Sequence, residues 1–170
     1  GCTLNNCTLY ANSAPSAGGG GGASSCVLNN CTLTSNTSGG RGGGVRSSTL
    51  INCTVSGNSG DRGGGAADST LNNCMVANND GGYSGGGVSQ CNLTNCVLSG
   101  NDAGFGGGAD YNCILYNCIL SGNWADSMGG GAESCTLINC ALVYNTAGNY
   151  GGGAYYCDLY NSIIYYNSSG

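Results

Sequence analysis

The chain has 170 residues, of which 35 are glycine, 13 cysteine and one proline, and only three are basic and eight acidic. Its cations are all arginine (Arg41, Arg46, Arg62), histidine is absent, and the net charge of -5 argues against nucleic acid and anionic membranes as partners. With neither His nor Lys there is no Ser-His-Asp triad, no Cys-His nucleophile pair and no Schiff-base lysine, and no run of about 18 apolar residues offers a membrane span.

From the N-terminus the chain repeats itself. The copies are CTLNNCTLYAN from Cys2, CVLNNCTLTSN from Cys26, STLINCTVSGN from Ser48, STLNNCMVANN from Ser69, CNLTNCVLSGN from Cys91, CILYNCILSGN from Cys113, CTLINCALVYN from Cys135 and CDLYNSIIYYN from Cys157. Between them runs a glycine triplet ending at Gly22, Gly44, Gly65, Gly87, Gly108, Gly131 and Gly153, with successive steps of 22, 21, 22, 21, 23 and 22 residues. A strict period near 22 calls for stacked units, each burying its apolar side only against its neighbours.

Within each unit, Cys and Leu in C-x-L fall on one face of a strand, and Thr3, Val27, Thr49, Thr70, Asn92, Ile114, Thr136 and Asp158 on the other. The five-residue step from Cys to Cys breaks the period of two, so a corner separates two short strands, and the Ala or Val after GGG starts a third. Glycine triplets and asparagine corners oppose helix, each at about 0.5–1 kcal/mol relative to alanine. The expected fold is all-β: a single-stranded parallel β-helix, or β-solenoid, of about eight coils of about 22 residues, one domain over 1–170. Because the sequence opens inside a coil, we expect a segment of a longer repeat protein or a filament subunit.

Two asparagine columns recur in every coil. The first is Asn6, Asn30, Asn52, Asn73, Asn95, Asn117, Asn139 and Asn161; the second is Asn12, Asn36, Asn58, Asn79, Asn101, Asn123, Asn145 and Asn167. Coils about 4.8 Å apart would let equivalent amides bond along the axis, so both columns are expected to point into the turns and stack as structural ladders. Glycosylation of Asn6-Cys7-Thr8 or Asn52-Cys53-Thr54 is then not expected.

The pairing of GGGA or GGGV with L/V/I-x-x-N, as at Leu9–Asn12, Leu33–Asn36, Val55–Asn58 and Leu98–Asn101, resembles the short motifs of the polymorphic outer-membrane proteins. These are autotransporter-like surface proteins with a β-helical passenger region. The resemblance covers essentially the whole chain, with Leu where that family usually has Phe and often Cys where it has Ser. It implies a right-handed helix and an extracellular or cell-surface location.

Candidate chemistry is sparse. The cysteines form two columns, for which three readings compete: small buried residues, partial inter-coil disulfides, and metal ligands, the last disfavoured by the C-x4-C spacing. Asp80 and Asp102, and likewise Asp110 and Glu133, should sit on adjacent rungs, but no basic residue is near in rank and the loops are short, so solvated loop charges are the expectation. The glycine strip is either an interior too narrow for side chains or a smooth surface for another backbone. Outward positions turn apolar and aromatic in the second half, at Ile114, Tyr116, Ile119, Ile138, Tyr160, Ile163 and Tyr165, a candidate self-association surface. The composition thus favours a structural or adhesive rod, homo-oligomeric or filamentous, with no enzymatic activity and no cofactor or metal. A polysaccharide-binding or polysaccharide-cleaving β-helix is the alternative, and a cell-surface or glycan ligand the other partner the sequence allows.

Overall fold

The computed structural model describes residues 1–15 and 18–170, and it is a parallel β-solenoid throughout. Strands of two to five residues stack in register into two eight-stranded sheets and one seven-stranded sheet, with a shorter fourth ladder along the loops. Sheet 1 runs from Thr3–Asn5 to Asp158–Tyr160, sheet 2 from Thr8–Tyr10 to Ile163–Tyr165, and sheet 3 from Ala23–Ser24 to Ala154–Tyr155. Every pairing is parallel and joins equivalent positions of successive coils, as in Leu71↔Leu93 and Val76↔Leu98. No residue among those described is helical, which matches the eight-coil all-β expectation.

The core is one continuous stack. Leu28, Leu50, Leu71, Leu93, Leu115 and Leu137 from sheet 1 meet Leu33, Val55, Val76, Leu98, Leu120 and Leu142 from sheet 2, all essentially without solvent contact. Val45, Ala66, Val88, Ala109 and Ala132 close the triangle from sheet 3. Burying a branched side chain contributes about 1.5–3 kcal/mol, so the stack is the main favourable term in each coil.

The glycine triplets follow from this geometry, and Gly85–Gly87 shows how. Gly85 has φ of 62°, a left-handed turn that side chains resist. A Cβ on Gly86 would lie 2.5 Å from the Gly107 carbonyl oxygen and nearer still to that of Asp102. One on Gly87 would lie 2.5 Å from the Gly108 carbonyl oxygen and 3.2 Å from the Asn101 amide carbon. The triplet is therefore buried, and the backbone it admits is the chain's own loop in the next coil. Of the two readings left open by the sequence, the crowded interior is the correct one.

Candidate functional site

The asparagine columns differ, which corrects one expectation. The second column is an interior ladder. In each coil the backbone N–H and side-chain Nδ2 both donate to the Oδ1 of the next asparagine: Asn79 to Asn101 at 3.0 and 3.0 Å, Asn101 to Asn123 at 3.0 and 2.9 Å. The remaining Nδ2 proton reaches back to a core-strand carbonyl, as from Asn101 to Val76 at 3.0 Å. Asn36 to Asn145 are 0–1% exposed, and no buried side-chain polar atom among the described residues lacks a partner.

The first column is exposed from Asn6 to Asn161. All eight adopt positive φ, between 48° and 55°. Asparagine is chosen there because it tolerates the left-handed corner between sheets 1 and 2, where a Cβ-bearing residue normally costs about 1–2 kcal/mol. The amides point outward and meet only at longer range, 3.3 Å for Asn52 to Asn30 and 3.2 Å for Asn95 to Asn73. The expectation that Asn6 and Asn52 are protected from glycosylation by burial fails for the same reason.

The cysteines are all free thiols, most of them buried, with the Cys2 and Cys26 sulfurs 2.6 Å apart at the exposed start. The buried thiols donate to the carbonyl two residues before them, as Cys96 to Thr94 at 3.3 Å, except Cys113, which reaches Asp110 three residues before it at 3.0 Å. Several also accept the N–H of the preceding coil's equivalent, as Cys53 from Cys31 at 3.4 Å. Ser48 repeats both bonds, accepting from Cys26 at 3.1 Å and donating to Arg46 at 2.8 Å, which explains why Ser interchanges with Cys here. Burial pushes the Cys91 and Cys135 thiols well above their ordinary range, so they stay neutral donors rather than nucleophiles.

The predicted outer surface forms ordered rows. Tyr116, Ile138 and Tyr160 are in-register neighbours on sheet 1, with Ile114 two positions earlier beside Thr136. On sheet 2, Met75, Val97, Ile119, Ala141 and Ile163 follow one another, and Tyr165 ends the neighbouring row after Val143. All seven predicted residues face outward; Ile138 is half-buried and the other six exposed, from 38% at Ile114 to 64% at Ile163.

The carboxylates divide. Asp80 and Asp102 pair across adjacent coils on the loop side, where partial burial, then Asp126 and Asp80, raises the Asp102 carboxyl. Asp110 and Glu133 also lie on adjacent rungs, but in a different setting. Asp110 is 5% exposed, and burial raises its carboxyl against the lowering influence of the neighbouring Ser84 hydroxyl, Tyr111 backbone and Glu133 carboxyl. Burial, followed by the charge of Asp110, lifts Glu133 to about 7. Contrary to expectation, a base is close: Arg62 lowers Asp110 through its charge while stacking 5.2 Å over the Tyr83 ring. Arg62, Tyr83, Ser84, Phe105, Asp110, Tyr111, Glu133 and Ser134 enclose a cleft of about 330 Å³.

Sequence reasoning missed this cleft although it leaves a trace. Three residues separate the glycine triplet from the next Cys or Ser in six coils, but four do so between Gly108 and Cys113. The extra residue makes Tyr111 and Asn112 two successive left-handed residues, φ 56° and 58°, where the other coils have one. A second cleft, of about 340 Å³, lies on the other side of the insertion, lined by Asn112, Ile114, Thr136, Tyr156 and Asp158 among others, and shares Ser134 with the first.

No protein-family model matches the chain, and no curated protein matches it. Solved structures similar to it include two of QnrB1. A trypsin-treated form of QnrB1, a plasmid-mediated fluoroquinolone resistance protein, is 18% identical over 94% of this chain and 81% of its own, with a TM-score of 0.37. Full-length QnrB1 is 15% identical over 95% and 86%, with a TM-score of 0.31. Likeness at that level carries no argument about activity; the solenoid is established by the ladders themselves.

Proposed function

We propose that this chain is a structural or adhesive β-solenoid rod, working by its outer surface rather than by catalysis and associating with further copies of itself into a fibre or surface layer. An extracellular or cell-surface setting, of the kind found among the autotransporter-like proteins it resembles in motif, belongs to the same proposal. The observation that carries it is the ordered outward row of exposed Tyr116, half-buried Ile138 and exposed Tyr160 on one face, with exposed Val97, Ile119 and Ile163 on the next. Exposed apolar patches of this regularity mark contact surfaces. Rows at rung spacing are complementary to the same rows on another copy, which makes a second copy the fitting partner.

The carboxylates support a non-catalytic reading. Asp110 and Glu133 are register partners on adjacent strands of one sheet, whereas a glycosidase sets its two carboxyl groups on either side of the scissile bond. Sedimentation velocity of the parent protein against Tyr116→Ser/Tyr160→Ser provides the test. The parent is expected to assemble with rising concentration and the double variant to remain small; a parent that stays monomeric at high concentration would refute self-association.

A further inference from the structure

The cleft beside Tyr111 combines features that the rest of the surface does not bring together. Arg62, Ser84 and Phe105 follow one another along one loop ladder and form one wall. Asp110 and Glu133, on successive rungs of sheet 3, form the other. Gly106 and Gly129 let these two acids pack closely: with φ of 58° and 67°, a Cβ on Gly106 would lie 2.5 Å from the Asp110 Cβ and one on Gly129 2.8 Å from the Glu133 Cβ. Tyr83 stands at the mouth, 54% exposed, its ring 5.6 Å from that of Phe105.

These groups define the chemistry of an occupant. Exposed aromatic faces suit an apolar C–H surface. Arg62 supplies only donors, the carboxylate of Asp110 only acceptors, and the hydroxyls of Ser84 and Ser134 both. Because burial raises Asp110 and Glu133, the pair retains a proton close to neutrality, and its remaining charge offsets that of Arg62. An anionic ligand would face the carboxyl pair and a cationic one the guanidinium. A neutral ring with an apolar face and a rim of hydroxyls matches all of the groups together. The volume lies at the low end of the roughly 300–1,000 Å³ typical of ligand pockets. The second cleft across Ser134, with exposed Tyr156 on its edge, offers room for a chain to continue.

We infer that the Arg62–Tyr83–Phe105–Asp110–Glu133 cleft is a binding site for a neutral oligosaccharide, opened by the extra residue at Tyr111–Asn112. The strain of two adjacent left-handed residues is of the kind that persists where a local geometry serves a purpose. This inference gives the adhesive reading above a definite site, and it stands apart from self-association, which uses sheets 1 and 2.

The test is isothermal titration calorimetry with the full chain against three neutral hexasaccharides: β-1,4-linked glucose, β-1,4-linked N-acetylglucosamine and α-1,4-linked glucose. Hexagalacturonate serves as the anionic counterpart. Binding of at least one neutral probe is expected, weakened tenfold or more by Tyr83→Ala and by Arg62→Gln. It should vanish when Asn112 is deleted, which restores the spacing of the other coils, in a variant shown by circular dichroism to keep its β signature. Tyr116→Ser/Tyr160→Ser should bind as the parent does, so that loss of assembly and loss of binding are read separately. No binding of any neutral probe at millimolar concentration, preference for hexagalacturonate, or undiminished binding by Tyr83→Ala would each overturn the inference.

Discussion

At the scale of single residues, one amino acid serves two unrelated purposes. An interior asparagine such as Asn101 makes five hydrogen bonds: it accepts from the N–H and Nδ2 of Asn79, donates its own N–H and Nδ2 to the Oδ1 of Asn123, and donates Nδ2 to the Val76 carbonyl. A corner asparagine such as Asn95 supplies a tolerated left-handed φ of 54°. Replacing Asn101 by Ala leaves buried polar groups without partners, each worth about 1–3 kcal/mol, so a loss of several kcal/mol is expected in denaturant titration. Asn95→Gly keeps the corner without strain and should change stability by less than about 1 kcal/mol. Equal effects of the two variants would refute the distinction. The sequence shows both columns by their period but not their direction, because a step of six residues between them crosses a corner whose sense only backbone dihedrals define. The exchange of Ser for Cys at positions 48, 69 and 162 was legible as a pattern; its cause, a shared donor-and-acceptor role, required the ladder.

At the scale of the element, the glycine triplet, the corner and the strand that follows act as one unit. The first glycine turns the chain, the second admits the next loop, and the third lies against the asparagine ladder, so side chains are expelled to the positions flanking the triplet. Those positions carry Arg62, Ser84 and Phe105 on one side and Asp110 and Glu133 on the other, which is why distant residues meet in a cleft. Glu133 moves from its ordinary 4.5 to about 7 on folding, chiefly through burial. A carboxyl raised in the folded state favours folding while protonated, and that contribution disappears as pH rises through the folded value. The melting temperature should therefore fall between about pH 4.5 and 7, and the fall should flatten in Glu133→Gln; a profile unchanged by that substitution would show that the pair is not coupled to folding. Composition and rank placed Asp110 beside Glu133 correctly. They did not place Arg62, two coils away in sequence, because its approach depends on how far a long side chain reaches over side-chain-free glycines.

At the scale of the whole molecule, the core and backbone ladders of each coil join it to the coils before and after it, with a long side chain such as Arg41 reaching two coils on to Gln90, so stability is close to a sum of coil and interface terms. Removing residues 66–87, one full period, joins Gly65 to Val88 as Gly87 is joined now, and it connects Asn58 to Asn101 in the ladder. The shortened protein is expected to fold with the same β signature, to keep the sheet 1 and sheet 2 rows from Ile114 onward, and to lose the Tyr83 wall of the cleft. Collapse to an unfolded chain would mean that coupling runs beyond nearest neighbours. The overall fold was legible because a period repeated eight times averages out local ambiguity; the cleft was not, because it lies at the one coil with four residues instead of three between the glycine triplet and the next Cys or Ser column. The interior ladder also gives the rod a direction. From Asn12 to Asn145 every side-chain amide donates the same way, toward the next coil, so the amide dipoles add instead of cancelling and each bond polarises the next. The ladder is therefore electrically polar along its length, its amide oxygens facing the preceding coil and its amide N–H groups the following one. Rods lying side by side in one sense would add these fields, whereas rods running in opposite directions would cancel them.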